Sequence, residues 1–252
     1  MGMKRVEEIR MVCVWLGLAA LLASFARGAD LPPAAGGASP GPPQVTAKFT
    51  AVDFAPDGSI SGQRWGQAAW IQFDASADGK TRYPATTQVA ALWSARYLYF
   101  AFRSHYTQLA YFEEEDPALE RWELWDRDVV EVFLNPEPEQ IDRYYEFDVA
   151  PNNQWADLAI DKTGLPSRDA SWNSGFSHAV SINVQTRIWS CELRIPFSAI
   201  SANPPPAGGQ WGVNFFRREG ARDDRRTMAW RPVPDGGMDT PDDRFGVLRF
   251  AR

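Results

Sequence analysis

The feature that most constrains the fold of this chain is a repeated alternation of apolar and polar residues over short segments. Such period-2 alternation places successive side chains on opposite faces of a β-strand. Gly, Pro, Asn and Asp separate the segments, as turns require. The pattern occurs over residues 47–54, 69–73, 87–93, 97–104, 129–134, 144–149, 154–160, 178–185, 188–195, 212–218, 228–231 and 246–250. The sequence therefore predicts an all-β domain, a two-sheet antiparallel β-sandwich or jelly roll.

Helix is predicted to be scarce. Only residues 116–122 and 197–200 have a pattern that favours about one helical turn each. Aromatic residues on the alternating segments are expected to fill the core of the sandwich. The residues predicted to be mostly buried are Trp93, Tyr99, Phe133, Phe147 and Trp211.

The N-terminus is predicted to direct export. Residues 1–28 combine a basic start, an apolar run over 11–23 that is too short to span a bilayer, and small residues at 26 and 28. They indicate a signal peptide cleaved before Ala29; the alternative is an uncleaved N-terminal anchor. Residues 29–44 are a linker rich in Pro, Gly and Ala, and residues 45–252 form the β-sandwich domain. The protein is expected to be secreted, or to reside in the periplasm or cell envelope.

Charge and cysteine content exclude several classes of protein. The chain has a formal net charge of −6, and it becomes −8 without residues 1–28, which hold four basic and two acidic residues. An acidic chain without a basic stripe argues against nucleic acid and anionic membranes as partners. Cys191 is the one cysteine after residue 28, so the domain has no internal disulfide. We expect a monomer without a transmembrane segment after cleavage.

Residues 122–157 place tryptophan beside carboxylates at the start of an alternating strand. An indole face can stack on the C–H groups of a sugar ring, and carboxylates can accept its hydroxyl protons. Trp122, Trp125 and Glu131 are therefore candidate ligand-binding residues. The alternative is that they are core aromatics and solvated charges.

Over residues 46–250 the domain resembles the family 9 carbohydrate-binding modules and their relatives, the family 9 binding domain-like proteins. Six sequence features in order carry the resemblance: Thr46-Ala-Lys48 with Asp57-Gly-Ser-Ile60 and Trp65; Trp93-Ser-Ala-Arg-Tyr97-Leu-Tyr99; Trp125-Asp-Arg-Asp128-Val-Val-Glu131; Glu192-Leu-Arg-Ile-Pro196-Phe197; Trp211-Gly-Val-Asn214; and Trp230 with Phe245-Gly-Val-Leu248.

The resemblance implies non-catalytic binding of a mono-, oligo- or polysaccharide, linked to polysaccharide catabolism. In sugar-binding members a terminal sugar lies between two tryptophans, and polar groups bond its hydroxyls. Trp125 matches the first tryptophan and Glu131 the sugar-bonding carboxylate. Tyr145, Glu146 and Asp148 are expected to be neighbours of the ligand, together with Trp122. A structural ion pair with an arginine is the alternative role of Glu131.

The sequence departs from the family pattern at two places. No aromatic residue lies between Trp230 and Phe245, where the second tryptophan is expected, so Met238, Trp122 or Trp155 would have to take its place. The strand over 144–150 carries Glu146 and Asp148 where the family pattern has an arginine.

Two other functions fit the same residues. Paired carboxylates could serve a hydrolase acting on O-glycosyl compounds, because Glu146 and Asp148 lie on one strand face. Exposed Trp122 and Trp125 could instead dock a protein, as a non-carbohydrate surface interaction module. No cofactor is assigned. The resemblance allows a structural calcium ion, but the acid-rich loops 113–116 and 235–243 match no ligand spacing, so its residues stay unassigned.

The N-terminal features predict the start of the exported protein. N-terminal sequencing of secreted material should begin at Ala29 or an immediate neighbour, because signal peptidase cuts after small residues at −3 and −1. Material that begins at Met1 or Met3 would contradict cleavage.

Overall fold

A computed structural model describes residues 41–60, 62–113, 116–221, 224–234 and 245–252. The predicted signal peptide, most of the linker and Met238 lie outside these residues. Within them there are two short helices, α1 (Gln63–Gly66) and α2 (Phe197–Ile200), and a 3₁₀ turn (Leu124–Asp126). The strands are β1 (Gln44–Phe49), β2 (Trp70–Ala75), β3 (Arg82–Trp93), β4 (Tyr97–His105), β5 (Val129–Asn135), β6 (Arg143–Val149), β7 (Trp155–Asp161), β8 (Arg168–Asp169), β9 (Ser177–Asn183), β10 (Ile188–Pro196), β11 (Gln210–Glu219), β12 (Arg226–Ala229) and β13 (Gly246–Ala251).

Every predicted strand has a counterpart, so the all-β prediction is confirmed. The structure adds the two-residue strand β8 and helix α1, and β1 ends five residues earlier than predicted. The helical turn predicted over 116–122 is wrong. The Asp116 side chain accepts a hydrogen bond from the Ala118 amide, which makes a local turn, and Glu120 then bridges to Trp155. Between residues 116 and 128, helical geometry appears only at the 3₁₀ turn Leu124–Asp126.

The strands form one continuous sheet folded into two halves. We call the half with the strand order β8-β7-β6-β5-β11-β13 the first sheet, and the half with the order β1-β3-β4-β10-β9 the second sheet. In addition, β12 pairs with β11 and β2 pairs with β3. The predicted antiparallel pairing holds for these ladders except at β1, which runs parallel to both β13 and β3 and joins the halves.

The main core lies between the two sheets. Phe215 of the first sheet packs edge-on against Phe100 of the second, with ring centroids 5.4 Å apart. Cys191, on β10, is buried in this core, and burial raises the pKa of its thiol well above the usual value. The five aromatic residues predicted to be buried are each at most 6% exposed.

Each sheet also buries much of its other face. On the second sheet, the segment before β2 covers Tyr99 and Ala101, and the Glu192 carboxylate holds it in place. Glu192 accepts hydrogen bonds from the amides of Asp57 and Gly58, both at 2.8 Å, and from the Trp65 indole at 2.6 Å. This explains the acid in the Glu192–Phe197 motif: one buried carboxylate fixes a loop and a helix to the sheet.

Glu192→Ala is expected to lower the free energy of unfolding by about 3 kcal/mol or more, because three donors would lose their acceptor. Urea denaturation of the mature chain measures the loss. Glu139→Ala removes an exposed carboxylate and is the matched control. Equal stability of the two variants would contradict this role of Glu192.

Candidate functional site

Alternation along β5 separates two sets of side chains. Val130, Val132 and Leu134 enter the core between the sheets, while Glu131 and Phe133 lie on the opposite face. Cross-strand register then places Glu131 opposite Asp148, and Phe133 opposite Glu146. We call this side of β5 and β6, with Glu131, Glu146 and Asp148, the acid face.

The three carboxylates of the acid face converge. One oxygen from each lies within 4.8 Å of the other two. Glu131 and Asp148 are fully buried, and Glu146 is 7% exposed. The structure thus brings together three of the six predicted ligand-binding residues.

An arginine that the sequence analysis did not identify completes the cluster. Arg218, on β11, donates from Nε to Glu131 Oε1 at 2.7 Å. The ion pair weighed as the alternative role of Glu131 is therefore present. Arg218 lies opposite Val129, one diagonal step from Glu131, so the guanidinium expected on β6 is supplied by the strand on the other side of β5.

The carboxyl group of Asp148 lies in an unfavourable environment for a negative charge. Within the described part of the chain, neither of its carboxylate oxygens has a hydrogen-bond donor, and the same holds for Glu131 Oε2. Burial, and then repulsion from Glu146 and Glu131, raise the pKa of Asp148 well above its usual value.

The tryptophan pair lies at the end of the acid face. The 3₁₀ turn that carries Trp125 packs through Leu124 against Val129, which is two residues before Glu131 on the same strand face. Trp122 is 45% exposed, and Trp125 is partly exposed. The two rings meet at 79° with centroids 4.9 Å apart, so they form a corner and not two parallel walls.

A second arginine, just before β12, holds the turn that carries Trp125. Arg225 donates to the backbone oxygen of Trp125 at 2.8 Å and to Asp126 Oδ1 at 2.9 Å. The side chains of Arg225 and Asp126 are 21% and 39% exposed, so a carboxylate and a guanidinium both reach the surface beside the indoles.

Two aromatic residues considered for the site lie elsewhere. Tyr145 is on the other face of β6, where it packs on Trp172 at 4.8 Å and lines a pocket of about 380 Å³. Trp155 is likewise on the face opposite the acids and packs against Phe176. Alternation along β6 and β7 explains both positions, because an odd step along a strand reverses the face. Trp155 therefore cannot supply the second wall of a clamp over the acid face.

Asp128, the acid three residues before Glu131, has a structural role. It is fully buried, forms an ion pair with Arg217, and accepts hydrogen bonds from the amides of Ala110 and Gly220. The acid-rich loops considered for calcium fall largely outside the described residues, since Glu114, Glu115 and residues 235–244 are not among them.

The chain is thus an all-β sandwich in which one sheet face carries buried carboxylates and ends at two partly exposed indoles. The family model described as "Carbohydrate family 9 binding domain-like" matches residues 57–251. The chain belongs to this family.

Known proteins are similar to this chain in sequence or in fold. A curated "Extracellular protein" of Arthroderma benhamiae is 25% identical over 162 residues, which cover 59% of this chain and 70% of that protein. A family 9 carbohydrate-binding module from Caldicellulosiruptor kristjanssonii, solved with cellotriose, has a TM-score of 0.60 at 15% identity and covers 83% of this chain and 94% of its own. A proposed carbohydrate-binding protein from Bacteroides uniformis has a TM-score of 0.67 at 16% identity, covering 83% and 99%.

These structural likenesses establish the fold. A structure of a family 9 module from C. kristjanssonii solved with glucose matches at the same TM-score of 0.60 and 16% identity. In the described ranges, none of the helices has the length and apolar character that crossing a bilayer requires.

Asp148→Asn is expected to gain stability relative to the wild type as the pH rises. The pKa of Asp148 is higher in the folded state, so folding retains a proton that the unfolded chain releases above about pH 4. The stability contribution of Asp148 is therefore fully present below that pH and is lost as the pH rises toward the folded-state pKa, whereas Asn has no proton to lose.

Melting temperatures of both proteins in a chelating buffer, from about pH 4 to about pH 8, measure this effect. A difference between the two proteins that stays constant with pH would contradict the raised pKa of Asp148.

Proposed function

We propose that this protein is a secreted, non-catalytic carbohydrate-binding module that holds a saccharide against the Trp122–Trp125 corner. The observation that carries the proposal is this pair of perpendicular, partly exposed indoles at the end of a face lined with carboxylates. Membership of the family 9 binding domain-like proteins supports the same ligand class.

The geometry of the corner favours stacking on one side. Trp125 offers one indole face to the C–H groups of a sugar, and Trp122 stands across it as a side wall. Among the described residues, no aromatic side chain faces Trp125 in parallel. We therefore infer that the sugar is held from one side and one edge, which suits a ring within a chain as well as a chain end.

Polar groups for the hydroxyls lie at both ends of the site. Asp126 and Arg225 reach the surface beside Trp125 and offer an acceptor and donors. Further along the acid face Glu146 keeps a small exposed fraction, whereas Glu131 and Asp148 are fully buried. In this proposal Asp126 and Arg225 make the first contacts and the acid face forms the inner end of the site.

The setting of this activity is extracellular in our proposal. Residues 1–28 have the features of a secretory signal, and the relative from A. benhamiae is described as an extracellular protein. Such a module would keep the protein attached to a glycan, in keeping with a role in polysaccharide catabolism. The relatives solved with cellotriose and glucose suggest β-glucans and their fragments as the first ligands to screen.

Trp125→Ala is expected to weaken saccharide binding at least about fivefold, because stacking on an aromatic ring contributes ~1 kcal/mol beyond the area it buries. A glycan array with the mature chain first identifies the ligand, and isothermal titration calorimetry then measures both affinities. Trp122→Ala should also weaken binding, by a smaller factor.

Trp172→Ala is the matched control, because Trp172 is a partly buried indole that packs on Tyr145, on the other face of the first sheet. It should bind as the wild type does. Unchanged affinity of Trp125→Ala, or a loss confined to Trp172→Ala, would overturn the proposed site. Binding to a protein partner that no free sugar competes away would favour the interaction-module alternative.

A further inference from the structure

The acid face contains lone pairs that the protein itself leaves unused. Arg218 occupies Oε1 of Glu131, while Glu131 Oε2 and both oxygens of Asp148 have no hydrogen-bond donor within the described residues. Both side chains are fully buried. Burying polar oxygens without a partner is costly, and far more so when they are charged.

The spacing of the three carboxylates matches one cation. An oxygen of Glu131, one of Glu146 and one of Asp148 all lie within 4.8 Å of each other. Calcium binds oxygen at about 2.3–2.6 Å, so ligands on opposite sides of the ion are about 4.6–5.2 Å apart. Magnesium binds oxygen at about 2.0–2.1 Å and demands near-ideal octahedral geometry, so carboxylates fixed on two strands suit calcium better.

The charge of the cluster also favours a divalent cation. Glu131 forms an ion pair with Arg218, and Asp148 and Glu146 add two further carboxylates to the same place. Arg218 bonds to Oε1 of Glu131, while Oε2 of the same carboxylate has no hydrogen-bond donor among the described residues. A carboxylate shared between a cation and a hydrogen-bond donor is a common arrangement around bound metals.

We propose that the acid face binds one calcium ion through Asp148, Glu131 Oε2 and Glu146. The ion would lie at the inner end of the proposed saccharide site, but its binding does not depend on a saccharide. Asp148 is the central ligand, since both of its oxygens are available and its side chain is fully buried within the cluster.

The test is calcium titration of the chelator-treated mature chain without saccharide, by calorimetry and by thermal denaturation. The wild type should bind one calcium ion that Asp148→Asn removes. At a calcium concentration about a hundred times the dissociation constant, its melting temperature should rise by roughly 5 °C or more. Magnesium at the same concentration should give a smaller shift.

Three variants make the result specific. Glu146→Gln should weaken calcium binding and is the second test if Asp148→Asn does not fold. Asp161→Asn removes a carboxylate on the same sheet that pairs with Arg143 at the surface, so it controls for general attraction to an acidic protein and should bind as the wild type does. Trp125→Ala should also bind calcium normally, which separates this proposal from the saccharide site.

Two results would overturn the proposal. One is the absence of any calcium response in the wild type, which would mean that a proton on Asp148 satisfies the cluster. The other is a calcium response that Asp148→Asn and Glu146→Gln leave unchanged, which would place the bound ion elsewhere.

Discussion

The structure depends on one constraint, which is that the first sheet is buried on both faces. One face of β5 and β6 packs against the second sheet through residues such as Val132 and Phe147. On the other face, Phe133 is buried in a second cluster that includes Tyr144, Phe216 and Val233. A strand buried on both sides has no solvent to receive its polar side chains, so each of them needs a partner inside the protein. The acid face and its arginine are the consequence of this double burial.

The sequence predicted the fold well because period-2 alternation is a local signal. Each strand can be recognised from a few consecutive residues, and the turn residues between the segments support the same strand boundaries. Local alternation could not predict the pairing of β1, because its parallel pairing with β3 and β13 joins segments that are far apart in the chain. The helix predicted over 116–122 failed for a local reason: Asp116 bonds to the backbone of Ala118 and forms a turn where the pattern alone favoured a helix.

The site was predictable only in part, because it depends on register between strands. Alternation placed Glu146 and Asp148 on one face, and the structure agrees. It could also have excluded Tyr145, which is one residue from Glu146 and so must face the other way. Arg218 was harder to find, because it lies 87 residues from Glu131. One signal was available, since a buried acid between valines requires a partner and β11 carries two adjacent arginines, Arg217 and Arg218, near its end.

The position of Arg218 changes how the departure from the family pattern is understood. The sequence suggested that a guanidinium had been replaced by Glu146 and Asp148, which would make the site purely acidic. The structure instead retains a guanidinium from the neighbouring strand and adds the carboxylates to it. Arg218 is then committed to Glu131 and holds that carboxylate in place, so it is not the group that meets a ligand at the surface. Recognition of an outside ligand falls to the groups that remain partly exposed, the two indoles and the Asp126–Arg225 pair. The same sheet face thus has two parts. One is buried and consists of the carboxylates held near Arg218, and the other is an accessible end that consists of the two indoles.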